Sequence, residues 1–190
     1  MHTFRTVILT LIVALIVIFL GSIAFIYSGL YDVSARWQDG PLVKWVLVTT
    51  RERSLDVRKD KVKVPDNLDD PAVIMAGFKH FRMMCVICHR APGIAPSELS
   101  RGLNPPPPDF AHLKEVDVDP PEYFLIIRNG IRMTAMPAWG VTHSDVKIWS
   151  MVGFLRKLPN MTAAQYQDMN EKAGSIYRDG KRYSKSIPAR

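Results

Sequence analysis

From Val7 to Leu30 the chain runs through 24 residues without a single Asp, Glu, Lys or Arg. As a helix this stretch would be about 36 Å long at ~1.5 Å per residue, enough to cross a hydrocarbon core of about 30 Å. A helix satisfies its own backbone polar groups, as a lipid-embedded segment must. Phe4, Tyr27, Tyr31 and Trp37 lie near the ends, where aromatic side chains anchor at the interface. The competing reading is a cleaved signal peptide. Arg5 supplies a short positive start for either, and Val33-Ser34-Ala35 resembles a small-residue cleavage site. A cleavable apolar region usually spans about 7–15 residues, so the length favours an uncleaved anchor. Residues 1–30 are therefore read as an N-terminal segment with a single transmembrane helix.

The net charge of +7 is unevenly placed. Residues 36–65 carry +4 and residues 161–190 carry +3, while 1–35 and 66–160 are each neutral. A nucleic-acid reader puts its positive charge on the folded domain; here the charge sits in flanking segments, so no nucleic acid is expected. A basic stretch next to a membrane helix suits anionic headgroups. Residues 31–65 read as a basic linker with a possible interfacial helix. Pro41 to Val48 is apolar and contains Trp45, and Arg51, Arg53 and Arg58 to Lys63 follow. A short helix packed on a partner or on the next domain fits the same pattern.

Residues 66–160 read as a compact helical domain. Asp70 and Pro71 suit the cap and first position of a helix. Ile74, Phe78, Phe81 and Cys85 follow at helical spacing. Gly77 inside that stripe costs about 1 kcal/mol relative to Ala, and lets another helix approach closely. A second helix is expected from Asp119-Pro120-Pro121 to Asn129-Gly130. A third is expected from Thr142, with Asp145 as a capping-box partner. Its buried stripe is Ile148, Val152, Leu155 and Leu158. The loop Asn104 to Asp109, with prolines at 105–108, cannot be helix or central strand. Residues 161–190 read as a polar, basic tail, helical between Met161 and Tyr177 and disordered after Gly180.

The two cysteines of the chain stand in Cys85-Val86-Ile87-Cys88-His89. Two thiols so spaced can add to both vinyl groups of one porphyrin, and the following imidazole then faces the iron. Cys85 and Cys88 are read as thioether attachments and His89 as the proximal ligand of one covalent haem c. A thioredoxin-like redox pair needs an alternating strand–helix pattern, absent here. A zinc site needs two further ligands, and His80, His112 and His143 are scattered. A disulfide across two intervening residues would close little chain and stabilise little.

Several groups compete for the other axial position. Met136 precedes Pro137, which keeps the loop extended; a thioether there would give a six-coordinate haem of raised potential. Met133 is the rival thioether. His112 or His143 would make a bis-histidine haem. An open position would suit sensing or catalysis.

On these residues the chain resembles the class I cytochrome c family, across about residues 68–159. The likeness is carried by Gly77, Phe81, Cys85-Val86-Ile87-Cys88-His89, the loop from Gly130 to Met136-Pro137, and the closing helix with Trp149. The resemblance implies an all-α, haem-wrapping fold, with first and last helices crossing at Gly77 and Trp149. It also implies Met136 as distal ligand, so that His89 and Met136 hold the iron. The Pro105–Pro108 run departs from the barest form of the family. It is expected to cover a haem edge, with Arg101 or Asn104 reaching a propionate. The anchor and linker resemble those of haem c subunits in respiratory complexes.

The implied function is electron transfer in a membrane respiratory chain, without bond chemistry of its own. The alternatives are a haem c subunit of a larger complex (terminal oxidase, nitric oxide reductase or dehydrogenase) and a haem-based ligand sensor. The expected partners are redox proteins, complex subunits and the membrane. Haem c is attached outside the cytoplasm in bacteria, which places residues 31–190 on the periplasmic side of the inner membrane.

Overall fold

The computed structural model describes residues 2–112 and 119–174, and the backbone of 177–178 and 181–182. The chain divides into two compact units, Met1–Ser34 and Ala35–Arg190.

The first unit is built on α1, His2–Tyr27. At about 1.5 Å per residue it spans about 39 Å. Its most apolar 18-residue window has a mean hydropathy of 3.0, and none of its residues is buried by protein. Thr6, Thr10 and Ser22 return their hydroxyl protons to carbonyls four residues back, at 2.8–3.0 Å. The polar atoms of those side chains are thus bonded within the helix, which suits an apolar solvent.

The second unit is helical. Its elements are α2 (Pro41–Lys59), α3 (Pro71–His80), a π-helical turn (Phe81–Cys85), α4 (Val86–His89), α5 (Glu98–Arg101), α6 (Pro120–Asn129), α7 (Asp145–Leu155) and α8 (Ala163–Lys172). Short 3-10 turns flank α7 at Trp139–Val141 and Leu158–Asn160. A two-residue antiparallel pairing joins Tyr177–Arg178 to Lys181–Arg182. The stretch Pro71–His89 is also long and apolar enough to pass for a membrane span. It is instead the central helix of this unit, with Phe78 and Phe81 at 0% and 1% exposure.

The core forms where α3 crosses α7. A Cβ on Gly77 would stand 1.8 Å from the Ser150 carbonyl oxygen and 2.9 Å from the Phe154 Cβ. Only a residue without a side chain allows this approach. Phe78 and Phe81 meet Phe154 with ring centres 5.3 and 5.1 Å apart. Ile148, Val152, Leu155 and Leu158 are all buried, as their helical spacing implies. Trp149, expected at the same crossing, instead stacks on Phe124 of α6 at 4.3 Å. It therefore joins α6 to α7, because its position on α7 turns away from α3.

Three expectations shift. α7 begins after Ser144, not at Thr142. The Trp139–Val141 turn uses Thr142 as its own cap, and Asp145 reaches Arg128 Nε at 2.9 Å instead of a helix N–H. The capping box is at Thr162, whose hydroxyl accepts from the Gln165 N–H while Gln165 Oε1 accepts from the Thr162 N–H, at the start of α8. The segment read as a polar tail thus contributes a helix to the core. Tyr166 of α8 is 4% exposed and lies 5.2 Å from the Phe78 ring. Arg82 clamps α8 in place: it donates to Asn170 Oδ1 at 2.8 Å and to the Gly174 carbonyl at 2.9 Å. Beyond residues 181–182, the tail expected to be disordered lies outside the described residues.

The basic linker is also partly built into the second unit. Lys59 of α2 pairs with Asp119, the cap of α6, at 3.2 Å. Asn104 donates from its side chain to the Trp37 carbonyl at 2.7 Å.

A candidate haem attachment site

The central helix changes pitch where the chemistry begins. The π-helical turn Phe81–Cys85 inserts an extra residue per turn just before the two thiols. Such turns often mark functional positions in helices. Here it leaves Phe81 in the core while Cys85 and Cys88 follow in one further turn of helix. Both cysteines are free thiols and half-buried. Burial pushes the Cys85 thiol up to about 12, helped by the nearby Cys88. Burial also raises Cys88.

His89 ends α4 and is held on two sides. Its Nδ1 lies 3.1 Å from the carbonyl oxygen of Pro108. Its ring stacks on Phe110, with centres 4.6 Å apart and planes 10° from parallel. The Phe110 N–H donates to the His89 carbonyl at 2.8 Å. With Nδ1–H given to a carbonyl, the Nε2 lone pair is free, which is how metal-binding histidines are usually prepared. Burial lowers the imidazole pKa, though the bond to Pro108 opposes this. The ring is therefore kept neutral, the form that ligates a metal.

The residue after His89 anchors the same loop. Arg90 has φ +58°, a region that side-chain-bearing residues rarely adopt. Its guanidinium pairs with Asp109 and donates to the Ile94 carbonyl at 3.3 Å. Asp109 also meets His112 Nδ1 at 3.0 Å and accepts from the Ala111 N–H at 3.0 Å. Burial raises the Asp109 pKa, but the bonds from His112 and Ala111 and the charge of Arg90 outweigh it and lower it overall. Asp109 thus stays ionised and ties the proline loop to the end of α4. The carbonyl between them, that of Pro108, is the one that faces His89.

Met136 sits in a loop whose backbone is pinned at both ends. Gly130 closes α6 at φ +64°. A Cβ there would lie 2.7 Å from the Met136 carbonyl oxygen and the Ala138 nitrogen. The Ile131 N–H donates to the Met136 carbonyl at 3.2 Å, and the Met136 N–H donates to Thr134 Oγ1 at 3.1 Å. Met136 is half-buried and packs on the core, as do Met84, Cys85 and Val86. Met133 differs: it is 73% exposed and has φ +61°.

The histidine rivals are engaged elsewhere. The His112 ring bonds Asp109, and its side chain is 69% exposed. His143 packs edge-on against His80 and Trp139, each with ring centres 5.4 Å away. Among the described residues no three His, Cys, Asp or Glu side chains cluster as a metal site. The donor set fits haem c: two free thiols one turn apart, then a neutral imidazole with Nε2 available. The proline loop meets His89 through the Pro108 carbonyl. Asn104 donates one of its two amide N–H groups to the Trp37 carbonyl at 2.7 Å.

Pro108, Phe110, Thr134 and the Arg90–Asp109 pair were not singled out from sequence as site residues. A proline-rich loop after the attachment motif was visible, but nothing in it marked which carbonyl would turn towards His89.

Residues 72–155 match a family model described as "Cytochrome C oxidase, cbb3-type, subunit III". The match begins in α3 and ends with α7, so it covers the attachment motif and the methionine loop. No curated protein matches the chain.

Proposed function

We propose that the protein is a membrane-held, one-haem electron carrier, and that residues 72–155, which match the oxidase-subunit family model, form its c-type cytochrome domain. Bound haem c supplies one-electron chemistry between ferric and ferrous iron. In this reading Cys85 and Cys88 hold the group through thioethers. His89, through Nε2, and Met136, through its thioether sulfur, would hold the iron. The protein's own residues then serve to hold and insulate the group. Pro108 and Phe110 fix the His89 ring, and Gly130 and Thr134 fix the methionine loop. Ligands held this firmly need little rearrangement when the charge changes, which favours electron transfer over bond chemistry. The chain itself is not an enzyme in this proposal.

The observation that carries the reading is the His89–Pro108 contact, directly after two free thiols. α1 serves as the anchor, uncleaved. Because haem c is attached outside the cytoplasm, the domain lies on the periplasmic face of a bacterial inner membrane.

A second reading has support of its own. The matched family is described as an oxidase subunit, which favours a haem c subunit of a larger respiratory complex. Mild detergent extraction separates the two. A lone haem protein supports the carrier. A stoichiometric partner that takes electrons from it supports the subunit.

A further inference from the structure

α2 presents two different surfaces. Val48, Leu55 and Lys59 are half-buried and share one side of the helix, the side tied to α6 through Lys59 and Asp119. Leu42, Trp45 and Val46 are 72%, 63% and 44% exposed. At 3.6 residues per turn they fall within one arc of about 100°, beside the strip that meets α6. Lys44 and Arg51, both exposed, lie on the other side of the strip that meets α6, about 100–120° from the near edge of the apolar arc. Exposed apolar residues continue back along the chain at Trp37, Val33 and Leu30.

We propose that the first half of α2 lies in the headgroup layer of a membrane containing anionic lipid. The proposal rests on α1 being the anchor of that membrane. Three features select lipid over a protein as the occupant. The first is the tether: residues 28–40 separate α1 from α2, a reach of at most about 45 Å even when fully extended. Such a tether keeps α2 at high effective concentration near the bilayer. The second is charge: residues 36–65 carry a net +4, the sign that anionic headgroups attract. The third is the side-chain pattern, in which Trp and aliphatic residues occupy one arc and the basic Lys44 and Arg51 the nearly opposite side. That pattern suits a helix lying in the interface plane, with its basic face turned towards the headgroups.

The consequence concerns orientation. α2 is joined to α6 by Lys59–Asp119. The chain just before it is joined to the proline loop by Trp37–Asn104. A membrane-embedded α2 therefore fixes how the haem domain is turned towards the membrane, where a free linker would let it tumble.

The test uses the full chain with haem attached, one copy per lipid nanodisc. Leu42→Cys, Val46→Cys and, as a solvent reference, Val146→Cys (79% exposed on α7) each carry a polarity-sensitive fluorophore. An unchanged haem spectrum in each variant reports an intact fold. At positions 42 and 46 the emission should shift to the blue, and brominated lipid should quench it at least about twofold. At position 146 neither should happen. Replacing zwitterionic lipid by anionic lipid should deepen both effects, and Lys44→Gln with Arg51→Gln should remove that dependence. Water-like emission at 42 and 46 in both lipids overturns the proposal. So does blue emission without quenching by brominated lipid, which would mean that a protein surface covers the arc. Failure of the chain to enter nanodiscs is a different result: it removes the anchor and the proposal together.

Discussion

His89 Nδ1 and the carbonyl oxygen of Pro108 are 3.1 Å apart although 19 residues separate them in the chain. This contact makes the imidazole a stronger donor through Nε2 and so favours ferric iron. Asp109, held by Arg90, keeps Pro108 in place. Asp109→Ala should loosen the loop and weaken that bond. A loss of about 1 kcal/mol corresponds to a midpoint potential about 40 mV higher. Redox titration of the purified protein measures it, and an unchanged potential would mean that Asp109 does not position the loop.

Met136 and Met133 should behave differently. Met136→Ala should abolish the weak ferric absorption band that thioether ligation produces, lower the potential and open the ferrous form to carbon monoxide. Met133→Ala should change none of these, since that side chain is 73% exposed. The visible spectra of the two variants decide between them.

Gly77→Ala sets two effects against each other. Alanine improves helix propensity by about 1 kcal/mol. Its Cβ, however, would stand 1.8 Å from the Ser150 carbonyl oxygen, so α3 and α7 must part. Forced overpacking typically costs 1–3 kcal/mol, and backbone atoms here cannot rotate away. Because the clash is with backbone, the upper end of that cost applies, and the expected outcome is a net loss of about 2 kcal/mol, read by denaturant unfolding.

The ion pairs of Asp69 predict an acid-limb effect. Asp69 meets Lys157 at 2.6 Å and Arg156 at 3.1 Å. These bonds hold its carboxyl below the usual carboxylate range. A depressed folded-state pKa stabilises the fold fully above the unfolded value, and the benefit is lost as pH falls through the folded value. Asp69→Asn should therefore be less stable than wild type at neutral pH and match it at the acid end of that window. Thermal melts across pH 2–7 check the sign.

The parts of this fold that sequence revealed were those governed by local rules. The stripe from Ile148 to Leu158 follows helical periodicity, and α6 runs from its prolines to Asn129 before Gly130. The attachment motif is contiguous and needs no tertiary context. The remaining features depend on contacts between residues distant in the chain. The role of Pro108 depends on Asp109 finding Arg90. Trp149 turned to Phe124 and not to the Gly77 crossing, because α6 offers an aromatic face there. α8 looked polar because its apolar contribution rests largely on one residue, Tyr166, whose burial needs the Phe78 ring and the Arg82 clamp.

The central claim is that Cys85 and Cys88 carry one haem covalently. The chain should be produced in a host that attaches haem c, extracted from its membranes, denatured and digested, and its peptides weighed. The account predicts one haem per chain, retained through denaturation on the peptide that contains Cys85 to His89, with neither thiol open to alkylation. Recovery of that peptide with both cysteines alkylated and no added haem mass would contradict it.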